Sequence, residues 1–248
     1  MSLVEDILVR NGLVFAFLLV GVIMLISYWA SKKLTNNKIP GAAIAIFSGL
    51  ILAFFGGKKG IADVPIFSGM AILGGAMFRD FAVVATAMGA SFTEIKKTGW
   101  VGVLSLLIGV AVAFFAGGLI GYVMGYTDAK SFATIGAGAC TFITGPITGT
   151  AIGASSDVIA ISIAIGVVKS IVVTIGTPII AKRIGLNNPH SAMVFGGMLG
   201  TTSGVAAGLA ATDPKLVPYG ALTATFYTGL SALLCPSILY VLIQFFLK

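Results

Sequence analysis

The chain has 248 residues, of which 58% are hydrophobic and 9% are charged, and its formal net charge is +7. A soluble domain carries about 25% charged residues, so this chain has too few to cover a water-facing surface. The composition predicts an integral membrane protein, and its nearly continuous apolar runs favour helices over the alternating strands of a barrel. The positive charge is typical of basic loops beside membrane spans rather than of a nucleic-acid surface.

The first half of the chain predicts several crossings separated by charged turns. Arg10 and Lys32 bracket an uncharged run that is long enough for one crossing, which takes about 20 residues. A second apolar run covers residues 40–57, and a longer uncharged run over 98–127 predicts a tilted crossing. We therefore assign residues 11–127 to a first group of helices.

A charged pair, Arg79 and Asp80, interrupts the apolar sequence of this group. In one interpretation the pair lies near the middle of a single long crossing, where a charge costs about 2.5–3.5 kcal/mol on insertion scales and marks a functional site. In the other, a short span over residues 64–78 ends at the pair and residues 81–97 lie at the interface. Arg79 then extends to the membrane surface and pairs with its neighbour.

Residues 131–156 carry no charge but cannot form one continuous helix, because six helix-breaking positions interrupt them. These are Gly136, Gly138, Gly145, Pro146, Gly149 and Gly153. Irregular backbone survives in lipid only where it is buried in protein or lines a wet cavity, and transporters place substrate and ion sites at such breaks. The alternative is a Gly/Thr-rich helix packed closely on a neighbour.

Three further segments complete the chain. A span over residues 158–181 carries Lys169 near its centre, where an ammonium group needs an anion, a water-filled cavity or an ion pair with Asp80 or Asp157. Residues 191–211 form a second interrupted segment, in which Gly200 and its neighbours repeat the glycine and hydroxyl composition of the first. Residues 216–247 form the last span.

These elements predict an all-α membrane protein: a polytopic helical bundle in one transporter domain, residues 1–248, with two discontinuous or re-entrant segments that can form an inverted repeat. Peptide carbonyls and hydroxyls are hard oxygen ligands that suit an alkali cation, and Arg and Lys suit carboxylates. The predicted substrate-binding residues are Arg79, Lys169, Thr144, Gly145, Thr148, Thr201, Thr202 and Ser203. The predicted cation-binding residues are Asp80, Thr141, Thr150, Ser156, Asp157 and Gly200.

The remaining motifs bear on energy source and chemistry. No GxxxxGK[ST] loop occurs, so uphill transport would use an ion gradient or a separate protein. With one histidine, two separated cysteines and no nucleophile–base pair, we expect no enzymatic activity and no cofactor. The expected coupling ion is Na⁺, with H⁺ as the alternative, and Na⁺ is the only metal ion expected.

Three stretches resemble the M subunit of the two-subunit malonate:sodium symporters, the MadM family. They read FSGMAILGGAMFRDFAVVATAMGA, GACTFITGPITGTAIGASSD and GGMLGTTSGVAAGLAATDPKLVPYGALTATFYTGL. The similarity covers essentially the whole chain, and residues 144–208 are more loosely similar to LrgB-type membrane proteins.

The MadM resemblance implies sodium-coupled uptake of malonate across the bacterial inner membrane. It also implies a small hydrophobic L subunit, MadL-like, as obligatory partner, and a higher oligomer is compatible with it. The LrgB similarity leaves open a pore-forming or regulatory membrane protein, or another organic-acid carrier. A membrane component of a sodium-pumping decarboxylase is a third alternative.

Overall fold

The computed structural model describes residues 3–36, 41–53, 55, 61–73 and 92–247, and all regular structure in these ranges is helical. The α-helices are α1 (Leu3–Arg10), α2 (Gly12–Leu34), α3 (Gly41–Ala53), α4 (Gly69–Leu73), α5 (Phe92–Val123), α6 (Ala129–Cys140), α7 (Thr144–Ile152), α8 (Ser156–Ile180), α9 (Pro189–Leu199), α10 (Thr202–Ala210), α11 (Val217–Leu234) and α12 (Tyr240–Phe246). The chain divides into two compact units, Met1–Ala85 and Thr86–Lys248.

Within the described residues, four helical stretches are long and apolar enough to cross a membrane: Gly12–Leu34, Gly99–Val123, Ser156–Ile180 and Pro214–Phe246. The last of these joins α11 and α12 through a π-helical turn, Cys235–Leu239. Large apolar side chains such as those of Trp100, Val123 and Phe245 are exposed, as lipid-facing residues are. The predicted fold class, an all-α membrane protein, is confirmed.

In the first unit, α2 packs against α3 and α4. Gly69 lies directly against the backbone of Gly12, so these helices approach without intervening side chains. Arg10 at the end of α1 pairs with Asp6 one turn earlier, at 3.0 Å, and both side chains are exposed. Arg79 and Asp80 lie outside the described residues, so both interpretations of this charged pair stay predictions.

In the second unit, α6 and α7 form an antiparallel pair, which we call hairpin 1, joined by residues 141–143, which we call tip 1. A Cβ on Gly145 would lie 3.0 Å from the Cα of Gly138, and a Cβ on Gly149 would lie 2.9 Å from a methyl group of Thr134. At the open end, Lys130 donates to the carbonyl of Gly153 at 3.3 Å. Both legs of hairpin 1 thus run beside each other over their length.

The helix break in hairpin 1 precedes Pro146 rather than coinciding with it. Thr141 has extended backbone angles and ends α6, whereas Pro146 lies in the first turn of α7. Proline is tolerated there because the first turn of a helix has no internal partner for its amides. The sequence therefore located the interruption to the correct segment, but most of the six positions predicted to break the helix lie within it: Gly136 and Gly138 in α6, and Gly145, Pro146 and Gly149 in α7.

The helices α9 and α10 form a second, more open turn, which we call hairpin 2, joined by residues 200–201, which we call tip 2. α9 packs on α11 and α5, and α10 packs on α8 and α11, whereas the two legs make little contact with each other. A Cβ on Gly220 of α11 would lie 3.2 Å from the carbonyl oxygen of Ala192 and against the side chain of Leu209. The start of α9 and the end of α10 therefore lie near the same end of α11.

The two hairpins approach α8 from its opposite ends. Hairpin 1 contacts the N-terminal part of α8, where a Cβ on Gly138 would lie 2.6 Å from the Cα of Ser162. Hairpin 2 contacts the C-terminal part, where a Cβ on Gly208 would lie 2.6 Å from the Cβ of Thr177. The two tips consequently reach the middle of α8. Re-entry of the hairpins into the membrane from opposite faces stays a prediction.

Candidate functional site

Tip 1 is organised by the hydroxyl group of Thr141. This oxygen accepts hydrogen bonds from the amides of Ile143 and Thr144, at 3.2 and 3.1 Å, and so satisfies the first free donors of α7. It also shares a hydrogen bond of 3.0 Å with the Thr144 hydroxyl, which shares another of 2.9 Å with Ser231 of α11. A buried chain of three hydroxyl groups therefore ties tip 1 to α11.

Lys169 of α8 caps the other side of the same break. Its Nζ donates to the carbonyl oxygens of Ala139 and Cys140, the last two residues of α6, at 2.8 and 2.9 Å. A helix C-terminus carries partial negative charge, which an ammonium group compensates. The same Nζ lies 5.4 Å from the centre of the Tyr227 ring, within the range of a cation–π contact.

The Lys169 side chain also adjoins a cavity of about 590 Å³ between α5, α6 and α8. The lining residues are otherwise uncharged and mostly apolar; among them are Gly117, Ile120, Ile135 and Ile165. An ammonium group has three N–H donors, and the two carbonyls use two of them. One donor is therefore left for a further acceptor.

The structure bears on the alternative in which Lys169 forms a structural ion pair. In the described part of the chain no carboxylate pairs with it. Asp157 is exposed in the first turn of α8, about 18 Å along the helix at 1.5 Å per residue. The pair with Asp157 is thus not formed here, and Asp80 lies outside the described residues.

Tip 2 has a different construction. Gly200 adopts the left-handed conformation, with φ of 70°, and lies flat against the Tyr227 ring, where no side chain would fit. The hydroxyl of Thr201 hydrogen-bonds the hydroxyl of Ser170 on α8. The Tyr227 hydroxyl donates to the carbonyl of Gly109 on α5 at 3.1 Å, so that this fully buried ring is fixed between the two tips.

Two adjacent residues of α8 thus contact the two breaks. Lys169 donates hydrogen bonds to the last carbonyls of α6, and Ser170 hydrogen-bonds the Thr201 hydroxyl of tip 2. Their side chains leave α8 about 100° apart because successive residues of an α-helix rotate by that angle. The arrangement brings interrupted helix ends, an ammonium group, hydroxyls and an aromatic ring to one level of the bundle. Such a set can bind a cation through oxygen atoms and an anion through N–H groups.

The structure brings together some of the predicted site residues and separates others. Those at or beside the tips are Lys169, Thr141, Thr144, Gly145, Gly200 and Thr201, with Thr202 half-buried and Ser203 exposed in the first turn of α10. Those exposed at the open end of hairpin 1 are Thr150, Ser156 and Asp157. Arg79 and Asp80 lie outside the described residues. Each predicted ligand role stays a prediction.

Two buried hydroxyls stand out in hairpin 1. Thr134 of α6 and Thr148 of α7 are both fully buried, and neither hydroxyl has a hydrogen-bond partner in the described part of the chain. Buried polar groups are satisfied in the great majority of cases, so these two hydroxyls are exceptions within the described residues. Thr148 was among the predicted substrate-binding residues, whereas Thr134 was not.

Sequence reasoning missed the contacts of Tyr227, Ser170 and Ser231 with the tips. A usable signal existed for Ser170: Ser162, Gly166 and Ser170 recur at every fourth position and form one face of small residues on α8, where another backbone can approach. No comparable signal points to Tyr227, which is one of several aromatic residues in a long apolar run.

Apolar helices around a polar centre where two interrupted hairpins meet define this protein as a helical membrane transporter. The comparison with protein families matches residues 4–247 to the family described as the malonate/sodium symporter MadM subunit. The match covers nearly all of the chain, which therefore belongs to this family, and the resemblance drawn from the sequence is confirmed. Comparisons with curated proteins and with solved structures gave no match.

Proposed function

We propose that this chain is the core subunit of a secondary symporter that imports malonate together with Na⁺ across the bacterial inner membrane. A small hydrophobic L subunit is its partner. Family membership supports the substrate, the ion and the existence of a further subunit. The observation that carries the location of the site is the meeting of both hairpin tips at Lys169 and Ser170.

In this proposal, malonate and Na⁺ bind to different kinds of group at the tips. The remaining N–H of Lys169 and the free amides at the start of α10 suit a carboxylate, because ionised acceptors form the stronger hydrogen bonds. Carbonyl and hydroxyl oxygens suit Na⁺. A bound cation raises the affinity for the dianion by charge attraction in a medium of low dielectric constant, so the sodium gradient drives uptake.

Alternating access follows from the arrangement of the hairpins on α8. They contact opposite ends of this helix, so movement of one hairpin opens the centre toward one side while the other stays closed. The sequence also predicts that Arg79 supplies a second positive charge for the dianion, and this role stays a prediction. The protein acts on malonate as a carrier, without chemical conversion.

The test is uptake of ¹⁴C-malonate into proteoliposomes that contain both subunits. We expect saturable uptake that depends on an inward Na⁺ gradient and that excess unlabelled malonate competes away. Vesicles with equal Na⁺ on both sides, and vesicles with choline in its place, are the controls. Flux that rises linearly with malonate concentration would instead identify a pore, and uptake that is equal in choline would remove the sodium coupling.

A further inference from the structure

The second unit contains an internal repeat that extends beyond the two breaks. Asp128 caps α6 and Asn188 caps α9, and each accepts a hydrogen bond of 2.9 Å from the amide of a serine three positions later. The number of residues from Asp128 to Thr141 equals the number from Asn188 to Thr201. Each threonine lies in the nonhelical connection between the two legs of its hairpin. The two hairpins are therefore equivalent position by position from cap to tip.

The equivalence continues through α8 and α11. Ser155 and Asp213 are again helix caps whose side chains accept backbone amides. Lys169 follows Ser155 at the same spacing as Tyr227 follows Asp213. The prolines further along these helices, Pro178 and Pro236, also lie at equal distances from the two caps. Lys169 in the first repeat thus corresponds to Tyr227 in the second.

The contacts of Lys169 and Tyr227 obey the same correspondence. Lys169 bonds the carbonyl of Cys140, and Tyr227 lies against Gly200. Cys140 and Gly200 are equivalent by spacing, because each immediately precedes the corresponding threonine. Cys140 is the last residue of α6, whereas Gly200 is the left-handed residue that follows α9. Each central residue therefore covers the end of the hairpin that belongs to its own repeat. The repeat is present in the contacts as well as in the spacing.

The two repeats differ in charge at this position. In the first, the terminal carbonyls of Ala139 and Cys140 hold an ammonium group. In the second, the corresponding carbonyls belong to Leu199 and Gly200, and no backbone hydrogen bond reaches either of them in the described part of the chain. The corresponding residue of the second repeat, Tyr227, is uncharged, and its ring lies against Gly200. The negative end of α9 consequently has no cationic group of the described protein where α6 has Lys169.

We propose that Na⁺ binds at tip 2, on the carbonyl oxygens of Leu199 and Gly200 and the hydroxyls of Thr201 and Ser170, in the place that corresponds to the Lys169 ammonium at tip 1. All four are hard oxygen ligands, and the Tyr227 ring adds a face that attracts cations. Lys169 shows that the equivalent helix end binds a positive charge in this same fold. The inference rests on the proposed function for the identity of the ion.

The consequence is one fixed and one exchangeable positive charge in two equivalent places. Lys169 supplies the fixed charge at tip 1, and Na⁺ supplies the other at tip 2. A dianion such as malonate then meets both of these positive charges only when Na⁺ is bound, which couples the two affinities. This assigns Thr201 to the cation rather than to the substrate, and it separates the roles of Thr141 and Thr201.

The structure provides a matched variant for the test. In the purified two-subunit complex, ²²Na⁺ binding is measured without malonate for Thr201→Val and for Thr177→Val. The two threonines are equally buried, but the Thr177 hydroxyl donates within α8, to the carbonyl of Val173. We expect the sodium affinity to fall at least tenfold in Thr201→Val and less than threefold in Thr177→Val. Equal losses in both, or a larger loss in Thr177→Val, would overturn the assignment.

A second pair of variants, on α8, controls for misfolding at tip 2. Ser170 and Ser162 are buried on the same face of α8, and each donates to its own helix, at Gly166 and Ile159. Ser170 differs in that its hydroxyl also hydrogen-bonds the hydroxyl of Thr201. Ser170→Ala should weaken ²²Na⁺ binding severalfold, and Ser162→Ala should not. Unchanged binding in Ser170→Ala together with Thr201→Val would refute the site.

The experiments distinguish a wrong sodium site from a wrong proposed function. Suppose that the complex takes up malonate with Na⁺ and that Thr201→Val and Ser170→Ala both keep the wild-type sodium affinity. This result would refute the site and leave the proposed symport function supported. Sodium binding that depends on Thr201 and Ser170, in a complex that transports no malonate, would uphold the site and refute the proposed function.

Discussion

Hairpin 1 and hairpin 2 have the same order of elements but are stabilised in different ways. The legs of hairpin 1 touch directly at Gly138 and Gly145, and its tip is fixed by the Lys169 ammonium and a chain of hydroxyls. The legs of hairpin 2 pack on α11, α5 and α8, and in the described part of the chain its tip hydrogen-bonds α8 through the hydroxyls of Thr201 and Ser170. The comparison teaches that hairpin 1 is anchored by the protein's own charge, whereas no cationic group of the described residues anchors tip 2.

The largest effect should come from removing the charge that anchors hairpin 1. Lys169→Met keeps the volume of the side chain but leaves the carbonyls of Ala139 and Cys140 without their donor. Because hydrogen bonds to a charged group contribute about 1.5–3 kcal/mol, we expect malonate uptake to fall at least tenfold. The measurement is initial uptake in proteoliposomes at saturating Na⁺.

The matched control is Lys130→Met, since Lys130 also donates to a helix-end carbonyl, at Gly153, but is exposed. We expect a change of less than twofold in this variant. Uptake at the wild-type rate in Lys169→Met would mean that anchoring of hairpin 1 is not needed for transport.

The next effect concerns the close approach of tip 1 to α8. Gly166 lies against the backbone of Phe142, where a Cβ would come within 2.7 Å of the Phe142 Cβ, whereas a Cβ on Gly176 would meet nothing within 4 Å. Gly166→Ala should therefore destabilise the protein by about 1–3 kcal/mol through overpacking. Gly176→Ala, on the same helix, should be neutral or stabilise by up to about 1 kcal/mol. Thermal unfolding of both variants in detergent decides the matter, and equal melting temperatures would contradict the packing described here.

A smaller effect should follow from Tyr227→Phe. This variant keeps the ring against Gly200 but loses the hydrogen bond to the Gly109 carbonyl, which contributes about 0.5–1.5 kcal/mol. We expect a modest decrease in melting temperature with sodium affinity within threefold of wild type, because the ring face is retained. A tenfold loss of ²²Na⁺ binding would show that the hydroxyl, rather than the ring, matters at tip 2.

The smallest effect distinguishes the two helix caps. Burial opposes ionisation of Asp128, but hydrogen bonds from Ser131 outweigh it and hold the pKa of this carboxyl below its ordinary value of 3.8. The stabilisation is therefore fully present above that value and is lost as the pH falls through the lower folded pKa. Asn188, the equivalent cap of hairpin 2, does not titrate.

We expect Asp128→Asn to remove a small part of the decrease in melting temperature between pH 5 and pH 3, because asparagine caps a helix about as well as aspartate but does not titrate. Melting curves of wild type and variant at pH 5 and pH 3 provide the measurement. A larger pH dependence in Asp128→Asn than in wild type would reverse the sign worked out here.

Much of the architecture could be predicted from the sequence because composition and breaks are local properties. The low charge content predicts helical spans, and the glycine clusters around Thr141 and Gly200 predict the interruptions. The exact break escaped prediction because a proline such as Pro146 is as compatible with a helix's first turn as with its interruption. Local pattern does not distinguish these two placements.

The candidate site was predictable only in part, since its contacts join residues far apart in the chain. A central lysine signals that a partner is needed, but not that Lys169 bonds the carbonyls of α6. Thr150 and Ser156 belong to the same segment as Thr141, yet much or all of the length of α7, about 13 Å at 1.5 Å per residue, separates them from the tip. Only the fold shows which hydroxyls of one segment lie together.

The most direct test of the contrast between the tips is hydrogen–deuterium exchange of the purified wild-type complex with and without Na⁺, at constant ionic strength set by choline. Binding of an ion at tip 2 predicts that Na⁺ slows amide exchange in peptides covering residues 196–205 and leaves those covering 137–146 unchanged. Protection of residues 137–146 alone, or equal protection of both stretches, would contradict it.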